Sequence, residues 1–318
     1  MKKLLALSIA VAISTPAIAA DALVVYSAGP KPLSTGLAKA FEAKTGIEVE
    51  LFPSTSGKVM ARYEAEKANP QVDVIISAAW EHALTLAEKG DLLAYTSPNA
   101  QKVPGSLKTD TYVAQGAATL AMAYNTQSGL PKPANWSDLT APAYKDQVTM
   151  PDPASSGSAL TLLQGLTTKN GDAAWAMFAG LKENGMIVPG ANKAALTPVL
   201  QGAKGVVFGA VDYMALGAQK KGESIEVIYP QEGTVLAPRP MMITKSSDNQ
   251  EAAKQFIDFV LSEEGQALVA ERLILPARTD VKALRPGYDE LTLIDLDAVE
   301  AAKNAANDKA KFTTLMAN

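Results

Sequence analysis

The chain has 318 residues, a formal net charge of −4 and no cysteine, and 47% of its residues are hydrophobic. This length and composition suffice for about two domains with sizeable cores. The lack of cysteine excludes disulfides and thiolate metal sites, and the acidic balance argues against nucleic acid as a default partner.

The first twenty residues have the pattern of a secretory signal peptide. Lys2 and Lys3 precede an apolar run over 4–13, and an Ala-x-Ala cleavage motif follows at 17–19. The alternative, a membrane anchor, is disfavoured because the apolar run is shorter than the ~20 residues that span a bilayer. We predict cleavage after Ala19 or Ala20. A lipoprotein needs a cysteine at this point, so we expect an exported chain without a lipid anchor, typical of a Gram-negative periplasm.

Short apolar runs alternate with amphipathic stretches in the first third of the remaining chain. Strands are predicted at 23–27, 47–51 and 72–76, and a helix is predicted after each of them. This is the βαβ pattern of a mostly parallel sheet covered by helices. Ligands bind such sheets beyond the carboxyl ends of the strands.

Two extended segments divide the chain into two lobes. The segment 112–125 is apolar without a helical stripe, and Pro238 and Pro240 keep 234–244 out of a helix. We therefore predict an α/β fold of two lobes, each a mostly parallel sheet flanked by helices, joined by extended hinge crossings. Lobe 1 is expected to comprise 21–123 plus 240–318, and lobe 2 to comprise 124–239.

A loop rich in hydroxyl groups precedes a predicted helix of the second lobe. After Pro151-Asp152-Pro153, the residues Ser155, Ser156, Gly157 and Ser158 stand directly before an apolar run. A helix start offers free N–H donors and a partial positive charge, and glycine lets a ligand approach the backbone. One capping hydroxyl usually suffices, so three of them favour an anion site, with a plain helix cap as the alternative.

Three more loops at predicted strand ends carry the same residue types, which can bind an anion without a full counter-charge. Their candidate ligand-binding residues are Ser27, Ala28 and Gly29; Thr55, Ser56 and Gly57; and Ser77 and Ala78. Gly57 and Lys58 lack the spacing of a nucleotide P-loop. Trp80, after the third loop, either lines the pocket or belongs to the core.

The sequence offers little for catalysis. His82 is the only histidine and falls within a predicted helix, where a surface or internally satisfied role is expected, and no G-x-S-x-G motif is present. Asp152, Asp212 and Glu232 are candidates for converging carboxylates, and the alternative for Asp152 and Asp212 is that they cap turns and helices. We predict no enzyme activity and no cofactor, with a secreted hydrolase using Asp/Glu pairs as the alternative.

Five segments, in order along the chain, carry a family resemblance: 23–27, 71–75, 135–139, 151–153 and 265–276. They resemble the extracytoplasmic solute-binding proteins of ABC transporters, in the branch that contains the ferric-iron-binding proteins and relatives that bind sugar phosphates and phosphonates. The resemblance implies two lobes that close around one ligand and deliver it to a permease and an ATPase of the inner membrane.

The resemblance also bears on the kind of ligand. The iron branch uses a His after the first strand, where Gly29 or Pro30 stands here, and a Glu where Ala78 stands. Its pair of tyrosines reads Asp212-Tyr213, so only Tyr213 keeps the iron-ligand type. Ferric iron prefers several hard anionic oxygens. We therefore predict no metal, and ferric-iron binding is the alternative.

The family's anion-binding loop, by contrast, matches Ser156-Gly157-Ser158. We therefore expect the ligand to be a small phosphorylated or phosphonated organic anion. Its anionic head is expected on the hydroxyl-bearing loops, and Asp212, Tyr213 and Glu232 are expected to reach its hydroxyl or amine groups. Arg239 either contacts the head or braces the hinge.

Overall fold

The structure is a computed structural model that describes residues 22–317, so the predicted signal peptide lies outside the described residues. The strands are β1 (Leu23–Ser27), β2 (Val49–Pro53), β3 (Val74–Ile76), β4 (Tyr112–Asn125), β5 (Val148–Thr149), β6 (Val206–Val211), β7 (Ile225–Ile228), β8 (Leu236–Ile243) and β9 (Leu275–Pro276). The helices are α1 (Lys31–Thr45), α2 (Ser56–Ala65), α3 (Trp80–Glu88), α4 (Gly157–Asn170), α5 (Asp172–Glu183), α6 (Asn192–Leu200), α7 (Asp212–Lys220), α8 (Gln250–Val260), α9 (Glu263–Glu271) and α10 (Ala298–Ala317).

The long strand β4 joins two groups of strands. Its first part pairs with β8 and β9, and its last part pairs with β6 and β7. The full order is β2-β1-β3-β8-β4-β6-β5. Parallel pairs join β1 to β2 and β3, and β5 to β6, whereas every pair that involves β4 or β8 is antiparallel. The predicted α/β fold of two lobes with extended crossings is confirmed.

Local chemistry explains the element boundaries. In α1 the buried residues Leu33, Leu37 and Phe41 form the predicted apolar stripe, and the helix ends at Gly46 with a φ of 75°. That left-handed conformation carries no steric penalty for glycine. The helix α2 begins at Ser56, because the side chain of Thr55 caps it by accepting a hydrogen bond from the N–H of Lys58.

The helix α10 was not predicted from the sequence. Its buried residues are Ala301, Ala305 and Phe312, so its apolar stripe consists largely of alanine and is weak. Phe312 packs edge-on against Phe178 with ring centroids 5.5 Å apart, within a core cluster of lobe 2. The helix also contacts α3 of lobe 1. The C-terminal segment that we assigned to lobe 1 therefore touches both lobes, and the boundaries at 123 and 239 stay a prediction.

Hydrophobic clusters fill each lobe separately. One cluster of lobe 2 includes Trp136, Phe178 and Phe208, and one of lobe 1 includes Phe41 and Phe256. Nothing in the described part of the chain forms a helix that is both long enough and apolar enough to cross a membrane.

Candidate functional site

The hydroxyl-bearing loops of lobe 1 meet where β1, β2, β3 and β8 lie side by side. The N–H of Ala28 donates to the carbonyl of Ile76 over 2.8 Å, and the N–H of Ser54 donates to the carbonyl of Ser27 over 2.9 Å. The N–H of Ser77 donates to the carbonyl of Pro240 over 3.0 Å. The carboxyl ends of three strands thus gather the three predicted loops beside Arg239, as expected for such a sheet.

Ser27 and Gly29 form one side of this region. The Ser27 Oγ lies 2.8 Å from the Oγ of Ser34, and the N–H of Gly29 donates to Ser27 Oγ over 3.2 Å. The Nη2 of Arg239 donates to the carbonyl of Ala28 over 2.7 Å. A Cβ atom added to Gly29 would lie 3.1 to 3.3 Å from Ser27, Ser34 and Arg239, so these three groups surround one small volume.

Lobe 2 contributes the start of α4. The Ser156 hydroxyl caps the helix by accepting from the N–H of Ala159, so the plain capping role exists. The same hydroxyl lies 3.1 Å from Ser158 Oγ, and the Nδ2 of Asn192 lies 2.9 and 3.3 Å from the two hydroxyls. The hydroxyls therefore form a buried polar network beyond a cap, at a helix end that carries partial positive charge. Ser155 instead donates to the carbonyl of Asp152.

The two lobes touch at two glycines. A Cβ atom on Gly157 would lie 2.6 Å from the Cβ of Ala79 and 2.9 Å from the Oγ of Ser56. A Cβ atom on Gly57 would lie 2.7 Å from the carbonyl oxygen of Ala154. Such distances are too short for carbon atoms, so glycine is needed for this approach. Five buried hydroxyls, which we call the hydroxyl cluster, belong to these segments of the two lobes. Ser27 and Ser34 lie beside Gly29, Ser56 lies at the Gly157 contact, and Ser156 and Ser158 lie at the start of α4.

Arg239 is the charged group of the site. It is 1% exposed, its Nε has no hydrogen-bond partner, and within residues 22–317 no carboxylate forms an ion pair with it. Burial lowers the pKa of Arg239, and the nearby Tyr213 acts in the opposite direction. Arginine nevertheless stays protonated in proteins. A buried and unpaired positive charge is costly, so this place suits an anion.

Tyr213 is close enough to Arg239 for each group to influence the pKa of the other. Burial is the main cause that raises the pKa of the Tyr213 phenol, Arg239 lowers it, and Asp212 raises it. The phenol therefore keeps its proton at neutral pH and can donate a hydrogen bond.

The carboxylate of Asp212 bonds to groups outside the hydroxyl cluster. Its carboxylate pairs with Arg285 and accepts from Thr119, and the Tyr229 hydroxyl donates to it over 3.3 Å. Its Oδ1 is buried without a partner in the described chain. Asp212 thus ties the start of α7 to the crossing strand β4.

Some residues that we expected at the ligand lie away from Arg239 or contact other protein groups. Glu232 accepts from the backbone N–H of Trp136 over 2.6 Å, which places its carboxylate in lobe 2 rather than beside Arg239. The Ser77 hydroxyl lies 2.7 Å from the Nδ1 of His82, so the histidine is internally satisfied. Trp80 packs edge-on against Tyr112 with centroids 4.9 Å apart.

Ser34 and Asn192 join the site without having been predicted. Ser34 lies on the amphipathic helix α1, and a hydroxyl there is read from sequence as a solvent-facing residue. Asn192 opens α6, where asparagine is read as a cap. In the described chain no group of three or more His, Asp or Glu side chains has a geometry that could hold a metal ion.

Comparisons with known proteins agree with this architecture. Residues 69–301 match the profile of a family described as bacterial extracellular solute-binding protein. A solved structure of the periplasmic binding protein AfuA from Actinobacillus pleuropneumoniae, with exogenous fructose-6-phosphate bound, superposes with a TM-score of 0.87. The two chains are 28% identical, and the match covers 93% of this chain and 98% of that one.

Two groups of curated relatives carry different ligand names. A putative 2-aminoethylphosphonate-binding periplasmic protein of Salmonella typhimurium is 26% identical, over 92% of this chain and 89% of its own length. The major ferric iron-binding protein of Neisseria meningitidis is also 26% identical, over 98% of this chain and 96% of its own length. The resemblance found in the sequence is thereby confirmed.

Proposed function

This chain belongs to the family of bacterial extracellular solute-binding proteins, and we propose that it captures a small phosphorylated or phosphonated organic anion between its two lobes for an ABC importer. We further propose that it is exported to the periplasm by its first twenty residues. There it would present the loaded, closed form to a permease and its ATPase. Members of this family are binding proteins, and we propose that this chain likewise releases its ligand unchanged.

Arg239 is the observation that carries the proposal. Its guanidinium is buried at the meeting point of the lobes, and the described residues supply it with no counter-ion. A phosphate or phosphonate head has several oxygens, and guanidinium groups bind such oxygens through charge-assisted hydrogen bonds. The ligand would therefore supply the missing negative charge.

The surrounding donors support the same class of ligand. The hydroxyl cluster, the Asn192 amide and the start of α4 all offer neutral hydrogen-bond donors, which suit a small oxyanion. We propose that Thr55, Gly57 and Ala78 contribute through the backbone of their loops, and that Tyr213 contacts the organic part.

The ferric-iron alternative needs hard anionic oxygens. Burial raises the pKa of the Tyr213 phenol, which disfavours the tyrosinate form that iron would require. The three carboxylates that we considered all have partners in the protein. Asp212 pairs with Arg285, Glu232 accepts from the backbone N–H of Trp136, and Asp152 accepts from the backbone N–H of Ala154. The donor set therefore favours an oxyanion over a metal cation.

Closure follows from where the groups lie. Ser27 and Ser56 come from lobe 1 and Arg239 comes from the crossing strand β8, whereas Ser156, Ser158 and Tyr213 come from lobe 2. A ligand can contact both sets together only when the lobes are closed, so binding shifts the equilibrium towards the closed form.

A calorimetric titration of the mature protein tests the proposal. The titrants are fructose-6-phosphate, 2-aminoethylphosphonate, inorganic phosphate and ferric citrate. We expect saturable binding of at least one organophosphorus compound and a loss of affinity of at least tenfold in Arg239→Met. Lys145→Met, which removes an exposed positive charge of lobe 2, serves as the control and should bind normally.

Three results would contradict the proposal. The first is tight binding of ferric iron alone, and the second is unchanged affinity in Arg239→Met. The third is conversion of the bound compound, which phosphorus NMR of the recovered ligand would reveal and which would favour the hydrolase alternative.

A further inference from the structure

A cavity of about 350 Å³ lies between the lobes, and none of the residues of the hydroxyl cluster lines it. The first turn of α3 forms its lobe 1 wall, and α4 forms its lobe 2 wall. The crossing strand β8 and the segment that leads into α10 complete it. The residues that matter for its chemistry are Trp80, Glu81, Thr161, Gln164, Leu236 and Asp295.

Glu81 is a buried acidic residue of this cavity whose carboxylate lacks a partner at one oxygen. Glu81 is one of the residues that line the cavity, it is 5% exposed, and its Oε1 is buried without a hydrogen-bond partner in the described chain. A buried carboxylate oxygen without a partner is costly, and native proteins normally satisfy such atoms. A buried acceptor without a partner thus belongs to a residue of the cavity wall.

The other walls combine apolar surface with a polar rim. Trp80, Leu107, Leu236 and Pro238 supply apolar surface, and the exposed Asp295 adds a second negative charge at the rim. Gln164 lines the cavity but its Nε2 is already bonded to the carbonyl of Ala301. An acidic side chain and an indole ring in the wall of one cavity are an arrangement that recognises organic cations.

The charged neighbours of Glu81 leave this acceptor unused. The Nε2 of His82 lies 4.0 Å from Glu81 Oε1, beyond hydrogen-bond distance, and burial lowers the pKa of His82 to about 4, so this ring is neutral at pH 7. Lys309 of α10 acts on Glu81 only through its charge. The walls formed by α4 and β8 are uncharged, with Thr161 and Gln164 from the one and Leu236 and Pro238 from the other.

We propose that this cavity binds a small organic ammonium ion, with its charged nitrogen against the carboxylate of Glu81 and its apolar part against Trp80 and Leu236. This proposal does not depend on which anion binds at Arg239. The cavity has walls from both lobes, so its occupant would contact both of them at once.

The protonation state of Glu81 makes the affinity for an ammonium ion depend on pH. Burial raises the pKa of Glu81 to about 7 in the empty protein. An ammonium ion binds the ionised carboxylate, so affinity should rise with pH. With a pKa near 7, the ionised fraction grows about tenfold between pH 6 and pH 8, and the association constant should grow with it.

Benzylammonium is a suitable probe because it stays protonated over this range and carries an apolar ring. We expect calorimetry on the mature protein to show binding that is about tenfold stronger at pH 8 than at pH 6. The neutral analogue benzyl alcohol should bind at least tenfold more weakly at pH 8. Glu81→Gln should lose at least tenfold in affinity for benzylammonium and should lose the pH dependence.

Glu88→Gln is the matched control, because Glu88 is exposed at the last turn of the same helix. It should bind benzylammonium as the wild type does. Circular dichroism and the retained binding of an organophosphorus ligand check that Glu81→Gln is folded. Absence of benzylammonium binding to the wild type, or equal binding to Glu81→Gln, would overturn the proposal.

Discussion

Gly157→Ala should lower ligand affinity without lowering the stability of the ligand-free protein. The added methyl group would lie 2.6 Å from the Cβ of Ala79, whereas carbon atoms pack at about 3.5–4.0 Å, so the lobes must move apart by roughly 1 Å. Overpacking of this kind costs about 1–3 kcal/mol. Since about 1.4 kcal/mol corresponds to a tenfold change, we expect ligand affinity to fall by roughly 5- to 150-fold.

The stability of the ligand-free protein should not fall in the same way, because the strained contact exists only when the lobes meet. Gly157 is the first residue of α4, and alanine in a helix is favoured over glycine by up to about 1 kcal/mol. We therefore expect an unfolding free energy in urea that is unchanged or slightly higher without ligand. Gly36→Ala, within α1 and with open space around the new methyl group, is the control for helix propensity.

Two outcomes of this experiment would refute the reasoning. Wild-type affinity in Gly157→Ala would show that the ligand-bound form does not contain this contact. An equal loss of stability with and without ligand would show that the contact belongs to the resting form as well. Calorimetry for affinity and urea unfolding for stability distinguish the two.

Three more substitutions probe the charges of the structure. Arg239→Met should raise the unfolding free energy of the ligand-free protein or leave it unchanged, because it removes an unpaired buried charge; a large loss in urea unfolding would show a bracing role. Asp212→Asn should lower the unfolding free energy by about 3–5 kcal/mol, because it leaves the fully buried Arg285 unpaired, whereas the exposed Asp110→Asn should be neutral in the same assay. Burial raises the pKa of Glu81 from 4.5 to about 7, so the folded state binds the extra proton and this contribution to stability falls as pH rises from 4.5 to 7. Burial lowers the pKa of His82 from 6.5 to about 4, so its contribution rises over nearly the same range and opposes that of Glu81. Glu81→Gln should therefore show an unfolding free energy that increases by about 2 kcal/mol between pH 4 and 6.5, relative to wild type; a parallel pH profile would contradict these shifts.

The fold was largely predictable because its signals are local. Apolar periodicity located α1, and the prolines at 238 and 240 marked the second crossing. The helix α10 was missed because alanines form most of its buried stripe, and alanine contributes little to an apolar pattern.

The site was predictable only where a residue type is unusual for its position. Three hydroxyls at one helix start indicated the network around Ser156 and Ser158. No local signal marks Ser34 or Asn192, because their role arises from the approach of distant segments. Conversely, Asp212 was expected at the ligand, and its pairing with Arg285, 73 positions away in sequence, could not be read from either residue alone.

Arg239 lies on a strand that belongs to the hinge itself. β8 pairs with β3 of lobe 1 and with β4, and the register of β4 against β8 shifts between Ala114 and Ala117, opposite Arg239. The flanking Pro238 and Pro240 fix the backbone there. A group near a rotation axis is displaced little by the rotation, so Arg239 should face an arriving anion in nearly the same way before and after closure.

The two halves of the site should therefore act on different rate constants. Arg239 should govern the association rate constant, which should fall as ionic strength rises. The contacts of Gly57 and Gly157, made only once the lobes have met, should govern the dissociation rate constant and with it the residence time of the ligand.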